Sequence, residues 1–210
     1  MFELSRLYNN FKLRKWKKLS TEKKVAVFQE IENILAKKQD RPVCRIVVED
    51  LEEGIGGLHF VSTHTIKIDS DNFFDNSYRF FLLSIYFHET RHSFQRDQIA
   101  DKEKHHFLSR EYRWKKTFDG YVNIKASGDT FSYYAMQDVE RDADKYALKQ
   151  LKKLRLKFLF SKDFKRTLTY RIKDYKETVK QAKKELGFFY RFKVAFNNFK
   201  QRRRNKKNKS

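Results

Sequence analysis

The stretch that decides the fold is Tyr78-Arg79-Phe80-Phe81-Leu82-Leu83-Ser84-Ile85-Tyr86-Phe87-His88-Glu89-Thr90-Arg91-His92. Its first ten residues form an almost unbroken apolar run with no Gly or Pro, which predicts a helix over about 76–97, capped by Ser77 or Asn76. A helix apolar nearly all round lies inside a domain, where polar groups at its end are costly unless they are paired or liganded. On that helix His88 and His92, four residues apart, face the same way and can hold one zinc ion. Glu89, turned about 100° around the axis, can reach a metal-bound water from the side. The expected chemistry is hydrolysis by a zinc-activated water, whose pKa falls to about 7 in such sites, with Glu89 as general base.

A catalytic zinc takes three protein ligands and keeps one open position, so a third ligand must come from elsewhere in the chain. Glu140 is the leading candidate. It lies in Gln137-Asp138-Val139-Glu140-Arg141-Asp142-Ala143-Asp144-Lys145-Tyr146-Ala147-Leu148, which reads as a helix with Val139, Ala143, Ala147 and Leu151 on its inner face. Glu140 and Asp144 flank that stripe, so the first can ligate the metal while the second accepts the free ring N–H of a ligating histidine. The competing third ligand is the pair His105-His106, preceded by the charged run Asp101-Lys102-Glu103-Lys104.

His88-Glu89-x-x-His92 followed by Glu140-x-x-x-Asp144 resembles the gluzincin pattern of zinc metallopeptidases, over roughly residues 40 to 155. The resemblance implies His88, His92 and Glu140 as ligands, Glu89 as catalytic base, Asp144 behind the ligands and a peptide or protein substrate. It also implies an α+β, zincin-like fold. In such a fold a small, mostly antiparallel sheet packs on the HExxH helix and the Glu-ligand helix, and its edge strand holds an extended substrate. The strands expected are Arg45–Glu49, Leu58–Val61 and Thr65–Ile68, with turns at Gly54 to Gly57 and around Ser62-Thr63. No residue matches clearly the family's oxyanion-stabilising Tyr or His; Tyr133 and Tyr134 are the nearest candidates. With His105 or His106 as ligand, the pattern would instead be similar to SprT-type (Spartan-like) metalloproteases, whose third ligand is a histidine downstream of HExxH, and would imply a DNA-associated protease.

Elsewhere the pattern is coarser. Residues 3–19 and 20–38 read as two helices, the second opened by Ser20 or Thr21 and carrying Val27, Ile31, Ile34 and Leu35 on one face. A single cysteine, Cys44, excludes an internal disulfide framework and fits a reducing compartment as a small buried side chain. With no apolar core of signal-peptide length in the first residues and no run near the ~20 residues of a membrane span, the expected location is the cytoplasm.

Charge divides the chain. Residues 151–210 hold 22 of the 48 Lys/Arg and only 4 of the 27 Asp/Glu, so +18 of the net +21 lies there. This suggests a near-neutral module over 1–155, with N-terminal helices in 1–40, and a basic helical extension over 156–210 ending in a disordered tail. The seam Phe164, Leu168, Ile172, Tyr175, Val179, Ala182, Leu186, stopped by Gly187, must pack on the domain or on a second chain. The tail, with Phe188, Phe189, Phe192, Phe196 and Phe199 among cations, suits nucleic acid, an anionic membrane surface, or only solvent. The rival to a peptidase is therefore a polyanion-binding protein on a non-catalytic zincin-like scaffold.

Overall fold

The computed structural model describes residues 2–100, 109–119 and 137–185, with the side chains of Phe2 and residues 181–185 left aside. Among these, eight α-helices surround one three-stranded mixed sheet, so the fold is α+β. The expected single helix over 3–19 is broken into α1 (Phe2–Tyr8), a 3₁₀ turn (Asn9–Phe11) and α2 (Leu13–Trp16). Lys12 is extended, at ψ 128°, and the break lets Phe11 and Trp16 stack in the core with ring centroids 4.9 Å apart. The Asn9-Asn10 pair, which favours turns over helix interiors, sits where the helix fails. Helix α3 (Thr21–Gln39) starts at Ser20, whose Oγ accepts from the Lys23 N–H at 3.4 Å, and ends at Asp40 with φ 50°.

The strands are β1 (Arg45–Glu49), β2 (Gly57–Phe60) and β3 (Thr65–Asp69), in spatial order β1-β3-β2. The sheet is mixed where the sequence reading has it mostly antiparallel. Strands β2 and β3 form an antiparallel pair (His59 opposite Ile66), but β1 runs parallel to β3 (Ile46 opposite Ile66). The connection over residues 50–56 is long enough to step across the roughly 10 Å of two strand spacings, which leaves the central place to β3. Strand β3 is accordingly the buried one.

After α4 (Ser70–Phe74), the long central helix α5 (Arg79–Ala100) begins later than expected. Asp75, rather than Asn76 or Ser77, provides the cap: its Oδ1 accepts from the Ser77 N–H at 2.7 Å and opens a 3₁₀ turn over Asn76–Tyr78. Helices α6 (Arg110–Asp119), α7 (Asp138–Lys153) and α8 (Lys162–Glu185) complete the described chain. Helix α5 packs on α7 along one side and on β2 and β3 along another, and α8 lies against both α5 and α7. Val139, Ala143, Ala147 and Leu151 of α7 are all fully buried. Phe164 of the α8 seam is buried against Phe80 and Phe158, so this part of the seam packs on the protein's own core; Leu186 and Gly187 lie outside the described residues.

One buried ion pair holds α5 to the layer behind it. Arg41 donates to Glu32 through Nη1 at 2.6 Å and Nη2 at 3.0 Å, and neither side chain touches solvent. Glu32 also accepts from the Cys44 N–H (2.9 Å), the Tyr86 hydroxyl (2.9 Å) and the Thr90 hydroxyl (3.3 Å), the last two on α5. Burial pushes the Glu32 carboxyl up, but Arg41, Cys44 and Tyr86 together outweigh it and hold its pKa below the usual 4.5. A group depressed in this way contributes stability that is complete above its unfolded pKa and is lost as pH falls through the lower, folded value. Glu32→Ala, which strands Arg41, should therefore lower the unfolding free energy by about 3–5 kcal/mol in chemical denaturation. Glu32→Gln should weaken the dependence of stability on pH below about 4.5.

Candidate metal centre

Two elements build the site. Helix α5 supplies His88, Glu89 and His92, and the first turn of α7 supplies Glu140, with Asp144 one turn further on. Ligand atoms of His88, His92 and Glu140 all lie within 4.8 Å of one another. The two Nε2 atoms are 3.0 Å apart; His88 Nε2 is 3.2 Å from Glu140 Oε2, and His92 Nε2 is 3.4 Å from Glu140 Oε1. A tetrahedral ion with bonds of about 2.0–2.1 Å needs ligand-to-ligand edges of about 3.3 Å, which these separations match.

The surroundings decide which ring nitrogens carry protons. The Asp144 carboxylate can only accept, so His88 Nδ1, 3.0 Å from its Oδ1, is the donor. Gln95 spends its amide N–H groups on the Val139 carbonyl (3.0 Å) and Asp142 (2.9 Å), which leaves its Oε1 to accept from His92 Nδ1 at 2.9 Å. With Nδ1 protonated, each ring turns its Nε2 toward the other and toward the Glu140 carboxylate. Deprotonated at Nε2, the two rings and the carboxylate would be three converging acceptors, which repel unless a cation sits among them.

The electrostatics point the same way. Burial pulls the His88 imidazole down, but Asp144 and Glu140 outweigh it and hold its pKa well above the ordinary value; His92 is raised as well, mainly by Glu140. Burial pushes Glu140 up, yet the two histidines keep it well below the usual carboxylate range. A field that favours positive charge so strongly favours a divalent ion more. The rings keep 15% and 12% of their side-chain surface exposed while Glu140 keeps 2%, so the centre can be reached from the histidine side.

Glu89 lies on the sheet-facing side of α5. Burial raises its pKa above 4.5, against the pull of His88 and His92. The strand opposite comes close because it carries no side chain there: a Cβ on Gly57 would stand 2.5 Å from Ile85 Cγ2 and 3.2 Å from Glu89 Cγ. Next to it, His59 offers an imidazole whose buried Nε2 finds no hydrogen-bond partner among the described residues. Burial, then the nearby charge of His92, brings the pKa of His59 down to about 4, so the ring is neutral.

Sequence reasoning did not single out Gln95, Arg171, Ser84 or His59. Gln95 follows His92 by three residues, a helical spacing that could have suggested its role. Arg171 had no such signal. From α8 it donates to Asp144 Oδ1 at 3.0 Å and to the Ser84 hydroxyl at 3.1 Å, clamping α5 and α7 above the histidines. His105, His106, Tyr133 and Tyr134 lie outside the described residues.

Metal content by elemental analysis checks the arrangement. One equivalent per chain is expected in the wild type and in His105→Ala/His106→Ala, and none in Glu140→Ala. Asp144→Ala and Gln95→Ala should bind about 10–100-fold more weakly, because each frees a ligand ring to rotate.

No family model, curated protein or solved structure matches this chain.

Proposed function

We propose that this chain is a zinc-dependent metallopeptidase of zincin-like architecture. The observation that carries the reading is the convergence of His88, His92 and Glu140 with Glu89 beside them. The donor set, two imidazoles and a carboxylate with an approach left open, is that of hydrolytic zinc. Bound there, zinc would polarise a scissile carbonyl and make water acidic near neutral pH. Glu89, its affinity for a proton raised by burial, takes the proton from the attacking water and passes it to the leaving amine. Asp144 and Gln95 hold the two rings at fixed angles, and Arg171 holds Asp144.

Strand β2 is an edge of the sheet and lies directly against α5, so its outer backbone can take an extended peptide as an added strand. That peptide would pass His59. The neutral Nε2–H of His59 is the group we assign to the carbonyl oxygen as it gains charge. The lone thiol, Cys44, is buried and within 3.2 Å of the Ser93 hydroxyl, which suits a reducing cytoplasm.

Charge supports a second reading, a polyanion-binding protein whose metal is structural, because +18 of the net +21 lies in residues 151–210. Glu89→Gln separates the two. For a peptidase the variant keeps its zinc and loses cleavage of a fluorogenic peptide library; a wild type loaded with zinc that cleaves nothing in that library leaves the binding reading. His59→Ala is expected to keep zinc and lower kcat roughly 10²–10³-fold with little change in KM, measured on any peptide the wild type cleaves.

A further inference from the structure

The turn between α7 and α8 is hydrogen-bonded, apolar-tipped and strongly basic. Backbone hydrogen bonds from Leu154 to Leu151, Phe158 to Leu154 and Ser161 to Phe158, at 2.9–3.1 Å, close it on itself. Leu154 and Phe158 are buried in the core, with the Phe158 ring 4.8 Å from that of Phe80. The same winding turns Leu156 and Phe160 outward, where they are 85% and 93% exposed. Lys157 ties the turn to α1 by donating to Ser5. From Lys145 to Lys162 the chain carries seven Lys or Arg and no Asp or Glu. Nothing in this geometry is used by the metal centre.

We propose that this turn docks the protein on an anionic lipid bilayer, with Leu156 and Phe160 inserted among the acyl chains and the surrounding cations at the phosphate level. Leu156 and Phe160, four residues apart, are the two most exposed of the large apolar side chains among the described residues, so a partner that covers both gains apolar burial. Charge selects that partner. A second copy, at +21, would be repelled, and so would the chain's own residues 186–210, which hold nine Lys or Arg and no acid. Charge complementarity to the seven cations around the turn favours an anionic partner. Aliphatic Leu156 has no planar face for a nucleic-acid base, whereas Leu and Phe both partition into a bilayer interface and lysines reach its headgroups along their stems. No helix among the described residues is long and apolar enough to cross a membrane, so the contact is peripheral.

The test is flotation of the full chain with vesicles of phosphatidylserine and phosphatidylcholine, beside phosphatidylcholine alone and duplex DNA. Leu156→Ser/Phe160→Ser keeps every charge and changes only exposed side chains, so its thermal transition should equal that of the wild type. Expected are binding to the phosphatidylserine vesicles only, and a roughly tenfold to hundredfold weaker partition of the double variant. In Phe160→Trp, the added tryptophan emission should shift to the blue on those vesicles. Equal partition of wild type and double variant, or no blue shift, would overturn insertion of the turn. Binding to DNA but not to vesicles would assign the basic face to nucleic acid instead. None of these readings depends on zinc or on hydrolysis.

Discussion

The bidentate Glu32–Arg41 pair is the interaction on which the orientation of the central helix depends. The first two turns of α5, apolar nearly all round, do not by themselves fix its rotation about its axis, because leucine, isoleucine and phenylalanine are nearly interchangeable against a core. Tyr86 and Thr90 remove that freedom by donating to Glu32, and Ser93 adds a contact with Arg41 at 3.2 Å. These three residues lie roughly opposite His88, His92 and Gln95 on the helical wheel. Fixing one stripe aims the other at α7. An apolar replacement for the pair would fill the same space, but it would not set the angle of the histidines.

Helix α5 thus works with three differently committed faces. One is locked to the α3 layer by Glu32. A second meets β2 where Gly56 and Gly57 permit contact with Ile85 and Glu89. The third meets α7 through His88, Arg91 and Gln95, which reach Asp144 and Asp142. Such crowding accounts for a long helix with polar groups near its centre. Each of them is matched by a partner on a neighbouring element, so the desolvation cost of burying it is offset by hydrogen bonds rather than left standing.

Local pattern made part of this legible. The Ser20 cap, the limits of β1 and the buried stripe of α7 follow from spacing and residue type over a turn or two of chain, and the i, i+4 histidines follow from helix geometry alone. What stayed hidden joins residues that no local period relates. Arg171 is one among 48 Lys/Arg until α8 is laid across α5 and α7, and His59 reads as an ordinary strand residue until the two glycines bring β2 against the helix. The parallel pairing of β1 with β3 was hidden for a related reason. Alternation reveals which face of a strand is buried, but not which neighbour it takes.

Helix α7 gives the molecule a ruler. Glu140 stands in its first turn and the basic turn follows its last residue, Lys153, so the separation along the axis is about 20 Å. With the turn seated on a surface, the metal centre could stand no higher than about that distance above it. A chain emerging from the same surface, fully extended at roughly 3.3 Å per residue, would span that height in about six residues. For a site that cleaves peptides, as proposed above, the helix would then decide where along a tethered polypeptide it can act, a selectivity by distance that needs no side-chain recognition.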